Sequence, residues 1–405
     1  MGALPLYSMF RASSHEIFGS NLRCGLCAAC SLKDHHFVTL ALGRAIVVRL
    51  IPVVNCSSKA MHLKSFEYFR AVTIVIIVLG HSYGIAGWEI DSFWDRALGN
   101  LISGGTSLFV FISGFLFHHV FYPRFHYSTF IKKKFKNVYV PYLILSFLPV
   151  CVSIYTRIPY EEFYFGLNDT IFDQIIRPAL LHYWYGGVMT YWYIPFIMGM
   201  FLISPVFIRF IQLQTRTKIL IIALTTCVSL FLHRPVNNWS IVQSIVYFSP
   251  VYMFGILCSM ERDWIYEKFL HKDGWLFLFV LFLAILQAAV MRTSGNLQKP
   301  PLDFNGVDIS LLQKMSLCVF FMVFLHRFEN VDSRLLKQLA VSSFSIYFLH
   351  GWFIWFIWLA RDWYIEVAGL HLLPVLSGLV IWISYLVALR IKSAFPDKSR
   401  MLIGW

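Results

Sequence analysis

The sequence predicts an all-α polytopic membrane protein, about ten transmembrane helices in a single bundle. Three observations carry that expectation. Of 405 residues, 58% are hydrophobic and only 14% are charged, with a mean hydropathy of +0.65. A soluble chain of this length needs far more polar surface. Apolar stretches of spanning length recur along the chain. The excess of cations, a net charge of +13, falls mostly in short connections between those stretches, where the positive-inside rule places it. That rule explains the basic balance better than nucleic-acid binding, which the hydropathy excludes.

Residues 1–60 contain no convincing span, because the apolar run Phe37–Val54 is interrupted by Arg44 and Arg49. They lack a signal-peptide cleavage pattern, and Met61 stands where an initiator would. They read as an extension, disordered or arising from a misplaced start, ahead of a membrane domain over 61–405. Cys24, Cys27, Cys30 and Cys56, with His35 and His36, match a metal site only in part, so no metal is expected. Cys151, Cys227, Cys258 and Cys318 lie in apolar segments, where a thiol packs as a small hydrophobe.

The spans follow at roughly 66–87, 102–122, 137–156, 189–209, 218–233, 241–260, 275–292, 309–327, 339–360 and 371–390. Residues 171–187, with Ile171, Ile175, Ile176, Leu180 and Leu181, read instead as an interfacial amphipathic segment. The loops after the even-numbered spans, with the C-terminal tail, hold eighteen Lys and Arg against seven on the other side. Both ends of the domain are therefore expected in the cytoplasm, with the protein in the inner membrane.

The first span carries Glu67, Arg70 and His81. Eleven residues rotate a helix by about 1100°, so Arg70 and His81 share a face, separated by roughly 16 Å along the axis. Arg70 is then near the cytoplasmic surface and His81 near mid-depth. Glu67 at i and Arg70 at i+3 can pair, which lowers the cost of the buried cation. Spacing alone leaves a structural ion pair and a core histidine as open as a site, although a neutral imidazole at that depth suits a proton-abstracting base. Ser113 lies at a similar depth on the second span. It can donate to a reacting oxygen, or Ser113-Gly114 can simply let helices approach. Ser343, Tyr347 and His350, at i, i+4 and i+7, share a face of the ninth span. Lys132, Lys133, Lys134 and Lys136 form a basic cluster that can attract phosphates, or act in topology and lipid headgroup contact. Trp184, Tyr185, Trp192 and Tyr193 fit a sugar platform less well than an interfacial aromatic belt.

Glu67-x-x-Arg70 followed by His81, in the context Phe-Arg-Ala-Val-Thr-Ile-Val-Ile-Ile-Val-Leu-Gly-His, resembles the opening signature of the family-3 membrane acyltransferases. Phe109-Val-Phe-Ile-Ser-Gly-Phe-Leu-Phe117 resembles that family's Ser-Gly-Phe helix, and Tyr191-Trp-Tyr-Ile-Pro195 its Trp-aromatic segment. Ser342-Ser-Phe-Ser-Ile-Tyr-Phe-Leu-His350 is similar to its late Ser-x-x-x-Tyr-x-x-His element. Glu67 departs from the Asp common there. The resemblance implies O-acylation, most often O-acetylation, of a glycan or lipid-linked sugar outside the membrane by cytoplasmic acetyl-CoA or another acyl-CoA. His81 is the expected base and Arg70 an orienting or phosphate-facing cation. Glu67, Ser113, Tyr347 and His350 are the expected supporters, with Lys132, Lys133 and Lys134 at the donor. Arg70 and His81 are expected to face one common polar cavity that reaches His81 from both sides. A transporter or flippase for a glycan carrier is the alternative, though no repeated halves are visible.

Overall fold

The computed structural model describes residues 63–405 except 158–160, 293, 304–305, 364–366 and 368, and the backbone of Thr39–Leu42 and Ala45–Val48. The chain divides into two compact units, Met1–Met61 and His62–Trp405. In the first, Thr39–Leu42 (β1) pairs antiparallel with Ala45–Val48 (β2). Cys24, Cys27, Cys30, His35, His36 and Cys56 lie outside the described residues. Among the described residues, no three His, Cys, Asp or Glu gather as metal ligands do.

The second unit is helical throughout. Its first half comprises α1 (Lys64–Ala86), α2 (Phe93–Ile102), α3 (Gly105–Leu116), α4 (Tyr127–Lys134), α5 (Val140–Thr156), α6 (Arg177–Tyr185), α7 (Tyr193–Leu202) and α8 (Ser204–Gln212). Its second half comprises α9 (Thr215–Leu232), α10 (Ile241–Met260), α11 (Asp273–Val290), α12 (Ile309–His326), α13 (Arg334–Leu359), α14 (Leu372–Ala394) and α15 (Ser399–Ile403). Among the described residues, nine stretches are long and apolar enough to cross a membrane. There are ten if α7 and α8, bent by 54°, count as one span. Pro205 at the start of α8 lacks the N–H that would continue α7, which accounts for the bend.

Two boundaries differ from the sequence expectation. The second span begins earlier, as α2, because Ser92 and Asp95 form a capping box. The Ser92 hydroxyl accepts from the Asp95 N–H at 3.0 Å, and the Asp95 carboxylate accepts from the Ser92 N–H at 3.2 Å. The third begins at Tyr127, so Lys132, Lys133 and Lys134 occupy the last turn of a helix rather than a loop. Cations are favourable at that end of the helix dipole. A π-turn over Phe135–Tyr139 then leads into α5.

The packing inverts the soluble rule, as a lipid solvent demands. On α9 the buried residues are Lys218, Ile222, Thr226 and Ser229, one polar-leaning face at helical spacing, while Ile219, Leu220, Leu224 and Val228 are exposed. On α14, Leu373, Ser377, Val380, Ser384 and Ala388 turn inward in the same way. Cys258 and Cys318 are buried as expected, but Cys151 and Cys227 are exposed on the outer face. Ile171, Ile175, Ile176 and Leu180 remain exposed ahead of and along α6, which suits an interfacial segment. The centre is α1, α3, α10 and α13. At the α3–α10 crossing, a Cβ added to Gly114 would stand 2.1 Å from the Tyr252 carbonyl oxygen, and one added to Gly255 2.2 Å from that of Phe111. These backbones touch, so only glycine fits.

Candidate active site

Local chemistry first fixes α1, the helix that carries the imidazole. Its opening N–H groups have no intrahelical partner, and Glu329, from the turn after α12, takes two of them. The Lys64 and Ser65 amides donate to its two carboxylate oxygens at 2.7 and 2.9 Å. The Tyr68 hydroxyl donates to the Val331 carbonyl at 2.6 Å, fixing the helix rotation. One turn on, Arg70 donates from Nη2 to the Ser343 hydroxyl of α13 at 3.1 Å, and that hydroxyl donates to the Ala340 carbonyl at 2.8 Å. Glu67 lies close enough to act electrostatically on Arg70.

Arg70 opens into a cavity of about 700 Å³ whose wall includes Ser113, Lys133, Lys134, Lys136, Tyr193, Tyr347 and Arg400. Five of its lining side chains are cationic: Arg70, Lys133, Lys134, Lys136 and Arg400. Lys134 lies over the faces of Phe121 and Phe201, 4.4 Å from each ring centre, which holds the ammonium against the wall. Lys132 does not line this cavity; it is exposed on the far side of the same helical turn. Arg400 comes from the short C-terminal helix α15, whose Ile403 is buried and whose Ser399 hydroxyl donates to the Trp405 carbonyl at 2.6 Å. Gly404 holds a left-handed conformation, φ +78°, against the Phe344 ring.

His81 opens into a different cavity, of about 440 Å³, toward the other end of α1. Trp88, Ser103, Thr106, Trp192, Arg234, Asn238 and Asn296 share its wall. The expectation of a single chamber is therefore corrected: Arg70 and His81 lie on one helix but line two cavities. The separating layer is built from the Trp192–Tyr193 pair and α13. Trp192 faces the His81 side and the next residue, Tyr193, faces the Arg70 side. Tyr347 backs this layer, donating from its hydroxyl to the Thr190 carbonyl at 3.2 Å. Thr190 and Met189 both adopt positive φ, 62° and 51°, and a Cβ at Gly351 would meet the Met189 carbonyl at 2.8 Å. The strained turn is thus pressed against α13. Buried and lining cavities, Trp192 and Tyr193 are not part of an interfacial belt; Trp184, 60% exposed, fits one.

In the second cavity the histidines meet. His81 Nδ1 and His350 Nε2 are 2.9 Å apart, with the rings stacked at 5.1 Å. The other nitrogen of His350, Nδ1, lies 2.6 Å from the Tyr347 carbonyl and 3.2 Å from that of Ile346. Carbonyls only accept, so Nδ1 carries the hydrogen and the neutral ring presents Nε2 as an acceptor. His81 then donates through Nδ1, and its Nε2 is left with a free lone pair. His350 is fully buried and lines neither cavity. Its hydrogen bond to Nδ1 restricts the rotation of the His81 ring.

The structure thus joins His81 with His350 and Tyr347 and joins Arg70 with Ser343, and it gathers Ser113, Lys133 and Lys134 around the Arg70 cavity. Ser113 reaches that cavity rather than the histidine. Three cations escaped the sequence reading as site residues. Arg234 and Arg400 counted only toward loop charge, and Lys314 lies inside an apolar span. Lys314 is buried and donates to the carbonyls of Asn100 and Leu101 at 2.7 and 3.1 Å, closing the C-terminus of α2. A lone lysine within an apolar span was the available signal.

A family model for an acyltransferase domain, the family 3 acyltransferases, matches residues 63–389. No curated protein and no solved structure matches the chain. The match covers nearly the whole helical unit, including both histidines and all of the Arg70 cavity except its C-terminal residues such as Arg400, and the chain belongs to the family 3 acyltransferases.

Proposed function

We propose that this acyltransferase moves an acyl group, an acetyl group in the first instance, from cytoplasmic acyl-CoA to a hydroxyl of an extracytoplasmic glycan or lipid-linked sugar. The observation that carries the reading is the His81–His350 pair, with His81 lining one cavity while a separate cavity gathers five cations. A coenzyme A donor carries several phosphates, and Arg70, Lys133, Lys134, Lys136 and Arg400 supply the complementary charge. Glu67 tempers the field at Arg70, and Ser113 and Tyr347 stand where a thioester would approach the layer. The positive-inside distribution supports reading this cavity as the cytoplasmic one.

A thioester is already activated, so the chemistry needs a base and donors for the oxyanion. His81 Nε2 takes the proton as the acceptor oxygen attacks the carbonyl carbon. The carbon–sulfur bond breaks, a carbon–oxygen ester bond forms, and the proton leaves with the thiolate as free coenzyme A. For donor and base to meet, the Trp192–Tyr193 layer parts around the acyl arm. Nothing in the bundle favours the transporter reading. The test is His81→Ala with expression and membrane insertion verified, read by mass spectrometry of the surface glycans. Loss of the acyl mass increment is expected; acylation at the parental rate would sink the proposal.

A further inference from the structure

The His81 cavity contains a cation that the acyl-transfer chemistry does not use. Arg234 is 5% exposed, yet it makes no ion pair among the described residues. Its Nη2 donates to Asn238 Oδ1 at 2.9 Å, and its guanidinium lies 4.8 Å from the Trp192 ring centre and 5.6 Å from that of Phe248. Its Nε is buried and has no hydrogen-bond partner among the described residues. Asp308 acts on it electrostatically but makes no hydrogen bond to it. Oδ2 accepts from the Tyr247 hydroxyl at 2.7 Å, and Oδ1 accepts from the Ser310 amide at 3.0 Å and from the Ser310 hydroxyl.

The loop that presents Arg234 is built for it. His233, Asn237 and Asn238 all have positive φ, between 50° and 59°. Non-glycine residues adopt positive φ in only a small minority of cases, asparagine and histidine most readily. The loop is held against residues 297–299: the Arg234 amide donates to the Leu297 carbonyl at 3.3 Å, and the Lys299 amide donates to the Arg234 carbonyl at 2.9 Å. Gln243 donates to the Lys299 carbonyl at 3.0 Å, and the Asn237 amide donates to Gln298 Oε1 at 3.0 Å. A strained, pinned loop that ends in a desolvated, half-satisfied guanidinium is a binding device rather than a structural ion pair. The rest of the wall mixes polar and aromatic groups, among them Ser103, Thr106, Asn238, Asn296, Trp88 and Trp192, with aliphatic side chains of α1 and α2, and among the described residues no Asp or Glu lines it.

We infer that the acceptor taken by this cavity is an anionic sugar, its carboxylate or phosphate on Arg234 and its reacting hydroxyl at His81. This rests on the acyl-transfer reading and names the substrate class. The amides and hydroxyls suit a ring bearing several hydroxyls, and the indoles suit its apolar face. The guanidinium of Arg234 lines the cavity with one side-chain hydrogen bond and no carboxylate on it among the described residues, a cation whose remaining N–H groups suit carboxylate or phosphate oxygens.

The test measures binding, so it does not depend on turnover. The full chain in lipid nanodiscs is titrated calorimetrically with methyl glucuronide against methyl glucoside, and with glucose 6-phosphate against glucose. We expect at least one acid to bind about tenfold or more tightly than its neutral partner, as a charge-assisted hydrogen bond predicts. The acid that does so identifies the anion. Arg234→Gln removes the preference and Arg234→Lys keeps part of it; should either variant fail to fold, the wild-type pairs still decide. Equal affinity within both pairs, no binding of either acid, or a preference that survives Arg234→Gln would each overturn the inference. If that happens while acylation still depends on His81, only the acceptor class falls. If His81→Ala leaves acylation intact, the function itself falls, whatever binds.

Discussion

Replacing His350 tests the orientation of the base without touching either cavity. His350 holds its Nδ1 hydrogen on the Tyr347 carbonyl at 2.6 Å, so its hydrogen-bonding contribution to His81 is the acceptor Nε2 at 2.9 Å, beside the stacked ring. In His350→Leu that acceptor disappears. The His81 ring then turns, or takes the tautomer that puts hydrogen on Nε2, and in both cases the basic lone pair leaves the acceptor cavity. A base held in the wrong tautomer loses about 10⁴ in rate in the Ser-His-Asp enzymes, and general-base help overall contributes about 10²–10⁴. We expect kcat to fall about 10²–10³-fold, equivalent to roughly 3–4 kcal/mol of barrier. The KM for acyl-CoA should hold, because His350 lines neither cavity. His350→Gln keeps a carbonyl acceptor at similar reach and should recover part of the rate. The assay is thiol release from acyl-CoA, dependent on acceptor, by purified protein in nanodiscs. The reasoning is refuted if His350→Leu turns over within about threefold of the parent, or if Gln and Leu behave alike.

Lys134→Ala should raise the KM for acyl-CoA about tenfold, since Lys134 lines the cationic cavity, whereas Lys132→Ala, which removes an exposed charge outside it, should leave steady-state kinetics unchanged. Gly114→Ala forces a Cβ against the Tyr252 carbonyl, so thermal unfolding should show a loss of about 1–3 kcal/mol or more. Gly84→Ala, where nothing lies within 4 Å, should be neutral or stabilising. His182 lies outside the spans, and burial lowers its imidazole from 6.5 to about 4. The unfolded chain therefore binds its proton first. The contribution of the neutral ring, about 3 kcal/mol at most, is fully present above pH 6.5 and drains away as pH falls toward 4. Melting temperature recorded against pH should show that decline, and His182→Gln should flatten it.

The spans were legible because hydrocarbon leaves one solution for a backbone of this composition, and the broken α7–α8 pair was legible as one stretch because hydropathy ignores a bend. The Arg70–His81 relation was legible because 3.6-residue periodicity fixes which side chains share a face. Helical phase says nothing, however, about what stands between two residues a dozen ångströms or more apart on that face. The separating layer comes from Trp192, Tyr193 and Tyr347, whose positions depend on a strained turn at Met189–Thr190 that no local signal announces. Arg234 was hidden for a similar reason. In sequence it is one more loop arginine, and only the pairing of its loop with residues 297–299 buries it. Ser92-x-x-Asp95, by contrast, was readable as a capping box, and reading it would have moved the second span's start.

The divided cavity is better suited to this chemistry than the single chamber the sequence suggested. A continuous wet passage from a cationic cavity to an imidazole on the opposite side would conduct water and protons through the bilayer. It would also let water compete with the acceptor for the thioester. Consecutive residues serve the two cavities, Trp192 lining one and Tyr193 the other. The histidine pair sits directly behind that layer, its orientation set by backbone carbonyls of α13 rather than by either substrate. On the proposed mechanism the base would be in place before the acyl arm arrives, and the movement needed for transfer would fall on the aromatic residues between the cavities. Enlarging the gap by Tyr193→Ala should accordingly speed hydrolysis of acyl-CoA in the absence of acceptor, because water gains the path that the phenol ring blocks.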